Sequence, residues 1–255
     1  MAQIRCDRVG PVQIFTIDNK SKRNAFSGSM AEDLVGRLDE ADQTTGIRCV
    51  VITGAGDRAF SSGHDLSKIL DQGKASLSPE NNHAFTRPAS MVKPTIAAVN
   101  GAAYAGGLIL ALSCDLRVAS KNASFCVSGA RIGLLPIGGQ LSRLPHLMPH
   151  ARALEMVLSA EPMSAEEAHS VGFINQLVFQ GDALSTSLEL AEKIAANSPS
   201  VVQEAKKGVE VSLRHGFAAG EAFEWETGPS LATTLDAEEG VRAFLEKRRP
   251  KFADK

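Results

Sequence analysis

Apolar positions change their spacing along this chain. Val12–Ile17 alternates well enough to predict a strand, and Ile47–Ile52 and Thr95–Val99 are continuous apolar runs of the kind a strand buried on both faces needs. Leu116–Ala119 and Ser124–Val127 predict further short strands. Between them, Met30, Leu34, Leu38 and Ala41 fall on one helical face, and Ser29 with Glu32 forms a capping box that would start that helix. Leu108–Leu112 is apolar on every side, which predicts a short, fully buried helix. The polar, glycine-containing stretch from Leu66 to Glu80 predicts a loop.

After about Pro136 the pattern becomes helical. Ser164 and Glu167 form a second capping box, and Gly172 closes that helix. Asp182 caps a helix whose face carries Leu184, Leu188, Ala191 and Ala195. Ser198-Pro199 opens another, with Val202, Ala205 and Val209 spaced for burial, and Asp236 with Glu239 starts the last. Strands alternating with helices and then giving way to helices imply a mainly parallel α/β core with a C-terminal helical region. We place the boundary between residues 1–195 and 196–255.

Composition narrows the function. Of 255 residues, 44% are hydrophobic and 22% charged, as in an ordinary globular chain, with a net charge of −2 and no basic stripe, so a nucleic-acid partner is not expected. The longest apolar stretch, Thr95–Cys114, is broken by Asn100, Gly101, Gly106 and Gly107, so no membrane span is expected either. The start, Met1–Val9, soon reads as strand and resembles neither a signal nor a transit peptide. Cys6, Cys49, Cys114 and Cys126 form no CxxC pair and read as reduced, mostly buried thiols of a cytoplasmic protein.

Two glycine-rich stretches follow strands: Gly54-Ala55-Gly56 through Ser62-Gly63-His64-Asp65-Leu66, and Asn100-Gly101 through Tyr104-Ala105-Gly106-Gly107. Glycines let a ligand approach the main chain closely, or simply serve tight turns. A helix N-terminus offers free N–H donors, and two donors aimed at one point form an oxyanion hole. Gly54-x-Gly56-x-x-Ala59 also fits a dinucleotide fingerprint, but Phe60-Ser61-Ser62-Gly63-His64 does not open the long helix that fingerprint requires.

A family resemblance rests on a series of segments in order. They are Asn19–Ala25; Val51–Leu66; Lys93-Pro94-Thr95-Ile96-Ala97-Ala98-Val99-Asn100-Gly101; Ser113-Cys114-Asp115-Leu116-Arg117-Val118-Ala119; Met163–Ala168; and Phe244–Pro250. Together the chain resembles the crotonase, or enoyl-CoA hydratase/isomerase, superfamily from about Val12 to Phe252. The resemblance implies a ββα spiral core with a C-terminal helical region that trimerises, giving a homotrimer or homohexamer. It implies an acyl-CoA ligand, with coenzyme A as part of the substrate and no further cofactor or metal. Its oxyanion donors map to the backbone N–H groups of His64 and Gly106, and its CoA contacts to Lys22, Arg23, Asn24, Ala25, Ser62, Asp65, Leu66 and, from a neighbouring subunit in some arrangements, Lys247.

The match fails at the acids. A hydratase that resembles this chain carries one glutamate three residues past the oxyanion glycine and another before the Gly133–Pro136 segment; here those positions are Ile109 and Gly129. A further position used by some isomerases is Ile137. Hydration needs one group to activate water and another to protonate carbon, and neither isoleucine nor glycine does so. Candidate substitutes are the His64 side chain, the Tyr104 hydroxyl lining an acyl pocket, and His83. Arg131 and Gln140 border the same segment, and Asp65 reads as holding its own loop. Three readings follow: an acyl-CoA enzyme that uses the oxyanion hole for decarboxylation, isomerisation or thioester cleavage; a non-catalytic acyl-CoA carrier; and a hydratase or isomerase with relocated acids.

Overall fold

A computed structural model describes residues 2–64 and 78–253. The expected strands form, within a residue or two of their sequence limits. Strands β1 (Gln3–Val9) and β2 (Val12–Asp18) pair as an antiparallel hairpin turned at Gly10. Helix α1 (Gly28–Gln43) follows and buries Met30, Leu34, Leu38 and Ala41, the face its spacing predicts. Its cap differs from expectation. Ser27 is the N-cap and accepts from Met30 N at 3.4 Å, while Ser29 Oγ pairs with Ser27 Oγ inside the first turn. Both serines suit the role, and the chain direction after Phe26 selects the earlier one.

From here the chain winds as a spiral. β3 (Cys49–Gly54) and β4 (Ala59–Ser61) lead to the one-turn helix α2 (His83–Thr86). β5 (Thr95–Val99) and β6 (Ala102–Tyr104) lead to α3 (Gly106–Ser113), and β7 (Leu116–Ser120) is followed by β8 (Ser124–Cys126). Next come α4 (Gln140–Leu147), α5 (His150–Ser159), β9 (Met163–Ser164), α6 (Ala165–Ser170) and β10 (Gln176–Val178). One sheet has the order β1-β2-β3-β5-β7-β10 and the other β4-β6-β8-β9, so each turn of the spiral lays one strand in each. Apart from the β1–β2 and β8–β9 pairs, the strand pairings are parallel.

Burial on both sheet faces explains the unbroken apolar runs. Val50, Ile52, Ala97 and Val99 face the main core with α1 and α3, whereas Cys49, Val51, Ile96 and Ala98 face α7 (Ala183–Ala195). Leu184 and Leu188 pack there as expected, although Asp182 at the N-cap makes no side-chain cap bond. Ser164 does cap α6, accepting from Glu167 N at 3.1 Å, and Gly172 follows that helix with φ +78°. Arg117 crosses the interior and donates to the carbonyls of Phe173 and Cys114 at 2.8 and 2.9 Å, so its charge is buried with bonded N–H groups.

The C-terminal helices depart furthest from expectation. α8 (Pro199–His215) leaves Ala205 and Val209 exposed, and Val202 only half-buried. α9 (Phe217–Leu231) is not legible in the apolar pattern: Phe217 and Trp225 are 79% and 76% exposed, and Pro229 lies within it. It packs back on α8 through Gly220, where a Cβ would stand 2.7 Å from Ser212 Cβ. α10 (Leu235–Leu245) is capped by Thr234, not Asp236. Asp236 is buried instead and accepts from Ser198 Oγ at 2.7 Å and Ala253 N at 2.9 Å. Two further links join this region to the core. Lys206 Nζ donates to Asp115 Oδ2 and the Lys93 carbonyl, and Arg48 donates to the carbonyls of Ala195 and Phe252. Among the described residues no helix is long and apolar enough to cross a membrane.

α3 packs closely on β4 at Gly107, where a Cβ would stand 2.0 Å from the Ser61 carbonyl oxygen. Gly107→Ala is therefore expected to lower stability by about 3 kcal/mol, while Gly36→Ala, exposed in α1 with nothing within 4 Å, raises it by about 0.5–1 kcal/mol. Urea midpoints of the two variants check the contrast.

Candidate active site

The two glycine-rich stretches meet. After β4 the chain runs Ser62-Gly63-His64, with Gly63 at φ +84° and the place of its missing Cβ only 2.5 Å from Gly106 N. No residue with a side chain fits between them. The approach is fixed from the other side by Phe26, whose N–H donates to the Gly63 carbonyl at 2.8 Å. Ser61, fully buried, accepts from Gly63 N at 3.1 Å and donates to the Asn24 carbonyl at 2.8 Å.

Gly106 opens α3, whose eight residues are all buried. The preceding residue, Ala105, adopts φ +48°, which costs a non-glycine residue energy and aims the helix start. Its carbonyl accepts from Ile109 N at 3.0 Å. The first N–H groups of an α-helix have no partner within the helix, and they lie at the positive end of its dipole. Gly106 is itself confined: a Cβ would meet Phe85 Cζ at 2.8 Å and Gly63 Cα at 2.9 Å. The main chain of Gly63–His64 and the start of α3 thus share one spot suited to an anion or a polarised carbonyl oxygen.

The Lys22–Ala25 segment is brought to the same place. Ser62 N donates to the Arg23 carbonyl at 3.1 Å, and Ser62 Oγ to the Lys22 carbonyl at 3.3 Å. Arg23 and Asn24 both have positive φ. Buried Asn24 sets this turn, accepting from Asn19 N and donating to the carbonyls of Ala55 and Ala59. Ala25 is buried, and the Lys22 and Arg23 side chains project from an exposed turn. Asp65 and Leu66, named as CoA contacts from sequence, lie outside the described residues, as does most of the predicted 66–80 loop. Lys247 stands exposed just past α10.

The candidate proton carriers are placed as follows. Tyr104 pairs its hydroxyl with Ser124 Oγ at 3.1 Å across β6 and β8. His83 is exposed on α2. His64 is half-buried, with Nε2 3.1 Å from Asn82 Oδ1 and its ring edge-on to Phe85. Arg131 makes a surface ion pair with Glu161. Gln140 is buried and donates Nε2 to the Ile137 carbonyl at 3.1 Å. Cys114 is no nucleophile: burial, with the Asp115 charge adding to it, pushes its thiol up to about 12.

Ile109 and Gly129, where the sequence resemblance led us to expect acids, are both closely packed. Ile109 is buried, and its Cδ1 and Cγ2 lie 2.9 Å from where a Cβ on Gly138 would stand. At Gly129 the place of a Cβ is 2.4 Å from the Leu134 carbonyl oxygen and 3.2 Å from Pro136 Cγ. Gly138 thus lies against Ile109, and Leu134 and Pro136 lie against Gly129. Sequence reasoning missed Asn82 and Phe85, which hold this site from α2; they sit beside a polar stretch without periodicity, so no sequence signal marked them.

Comparison with known proteins agrees with this architecture. The enoyl-CoA hydratase/isomerase family model matches residues 8–255. The chain is 36% identical over 254 residues to the 2,3-dehydroadipyl-CoA hydratase of Escherichia coli, covering 99% of each. It is 35% identical over 257 residues to enoyl-CoA hydratase EchA19 of Mycobacterium tuberculosis, covering 98% of this chain and 96% of that one. Among solved structures, an enoyl-CoA hydratase from Bacillus anthracis superposes with a TM-score of 0.95 at 29% identity, covering 99% and 100% of the two chains. One from Mycobacterium tuberculosis superposes at 0.93 and 34% identity over the whole of both. A family match spanning nearly the whole chain, relatives above 30% identity and the same ββα spiral together assign it: the protein belongs to the enoyl-CoA hydratase/isomerase family, within the crotonase superfamily.

Proposed function

We propose that the protein is an acyl-CoA enzyme that holds the thioester oxygen between the backbone N–H groups of His64 and Gly106 and stabilises the enolate formed there. The observation that carries this reading is the contact of Gly63–His64 with the start of α3, which leaves room for main chain only. A thioester oxygen gains charge as the enolate forms, so fixed N–H donors favour that state over the ground state. Lys22 and Arg23 would meet the CoA phosphates, with Ala25, Ser62, Asp65 and Leu66 beside the adenine and pantetheine, Tyr104 towards the acyl group, and Lys247 at a phosphate from a neighbouring subunit. Coenzyme A enters as part of the substrate, and the reading requires no other cofactor.

Two-carboxylate hydration is not part of the proposal. Ile109 and Gly129 carry no acid, and both are closely packed by the 134–138 segment. Each missing acid–base group costs about 10²–10⁴-fold. Decarboxylation of a β-carboxyl thioester fits best, because loss of CO₂ generates the enolate directly. The apolar Ile109 surface also favours a second reading, in which the same pocket serves as a non-catalytic acyl-CoA carrier.

Titration calorimetry with saturated and unsaturated acyl-CoAs is expected to give at least one Kd of about 1 µM. A folded protein that binds none of them overturns the reading. Crotonyl-CoA hydration is expected to run about 10³-fold or more below that of a relative with both glutamates, measured as loss of enoyl thioester absorbance. Ile109→Glu alone will not restore it, since a lone buried carboxylate is pushed towards its neutral form. Adding Gly129→Glu must displace the Leu134 carbonyl, so the double variant is expected to lose stability before it gains activity.

The exposed apolar side chains Phe217, Trp225, Val241, Phe244 and Leu245 on α9 and α10 support assembly through the C-terminal helices. Light scattering is expected to give a trimer or hexamer mass; a monomer at micromolar concentration argues against it.

A further inference from the structure

Val202, Ala205 and Val209, spaced for burial in the sequence, face a groove of about 840 Å³ and form one wall of it with Leu213. Arg143, His146 and Leu147 of α4, with the end of α3, also line it. Protein interiors hold few voids larger than a water molecule, so a space of this size beside an apolar stripe calls for an occupant. The next helix of the same chain does not supply one. α9 lies on another flank of α8, where Gly220 packs on Ser212 and Phe223 on Gly208. Among the described residues the groove lining ends at Arg214.

Charge describes the occupant. Arg117, Arg143, Lys206 and Arg214 line the groove against two acids, Asp115 and Glu210. Lys206 pairs with Asp115 at 2.8 Å and Arg214 with Glu210 at 3.0 Å, which leaves the guanidiniums of Arg117 and Arg143 in excess. Arg117 is buried and bonded to carbonyls, whereas Arg143 is only half-buried. The surface that fits is therefore apolar and acidic. α9 presents one: it carries Glu221, Glu224 and Glu226, with no lysine or arginine from Phe217 to Leu231. Phe217, Glu221, Glu224 and Trp225 are spaced to share one helical face, and all four are exposed. A small ligand in the groove would leave that face bare, whereas a second copy of the chain covers both surfaces at once.

We propose that the groove between α4 and α8 of one copy receives α9 of a second copy, with Phe217 and Trp225 on the Val202–Leu213 stripe and Glu221 and Glu224 facing Arg143. This rests on the assembly reading above and deepens it by naming the two surfaces that meet. They are different surfaces of one chain, so each copy gives a helix and accepts one. Contacts of this head-to-tail kind generate a ring where the rotation closes.

Trp225 is the single tryptophan of the chain, so its emission reports on this face alone. The experiment is acrylamide quenching of Trp225 alongside light scattering, with the urea-unfolded protein as the fully exposed standard. Wild-type protein is expected to scatter as an oligomer, with Trp225 shielded and its emission blue-shifted; this arm needs no variant to fold. Trp225→Ala and Arg143→Glu are each expected to raise the concentration at which the oligomer dissociates about tenfold or more, the loss typical of a central aromatic or arginine. Glu221→Arg is expected to weaken assembly in the same direction, and the folded double variant with Arg143→Glu to recover part of it. An oligomer whose Trp225 is quenched as freely as in urea, assembly that Arg143→Glu leaves unchanged, or a folded double variant with no recovery overturns this proposal and leaves the assembly reading standing. A monomer at micromolar concentration overturns both.

Discussion

Everything distinctive in this molecule depends on two stretches of bare main chain being pressed together. Gly63 and Gly106 lie so close that neither tolerates a Cβ, and Gly107 is packed as tightly on the Ser61 carbonyl. The surrounding structure exists to hold that contact. Burial of α3 on all sides fixes its axis, Ala105 bends the chain into it at an unfavourable φ, and Ser61 and Phe26 bond the opposing main chain. Donors fixed in this way need no rearrangement when charge appears on a ligand, which gives them more leverage than mobile side chains would have.

The same close packing extends to Ile109 and Gly129. Here Ile109 fills against Gly138, and the Leu134 carbonyl occupies the direction a side chain at Gly129 would take. Close packing propagates such changes, because a void loses the contacts on its lining.

The core was legible in the sequence because both faces of each parallel strand are buried, so Cys49–Gly54 and Thr95–Val99 carry no polar interruption that could mislead. The close approach was legible for a related reason: glycines at 63, 106 and 107 mark places where nothing larger fits. What failed was whatever depended on partners distant in the chain. Ser29 and Asp236 looked like caps from local spacing, yet neighbouring groups assigned the caps to Ser27 and Thr234. α8 shows an apolar stripe, but Val209 is left exposed, and α9 shows no stripe to read. The hydrogen bonds of Asn82 depend on where Ser78 and His64 fall in space.

The bond from Arg48 to the Phe252 carbonyl spans 204 positions, and that from Lys206 to Asp115 spans 91. The spiral, by contrast, is closed turn by turn from neighbouring segments. During synthesis the turns bearing both glycine stretches can assemble as they emerge. The Phe252 link cannot form until residue 252 has been made, because that residue's carbonyl is its acceptor. A nascent chain would thus bring both glycine stretches together while its closing seam was still open. The interval between those events exposes the flank beside Arg48 to chaperones and proteases, a hazard set by the order of the chain and not by the strength of any contact.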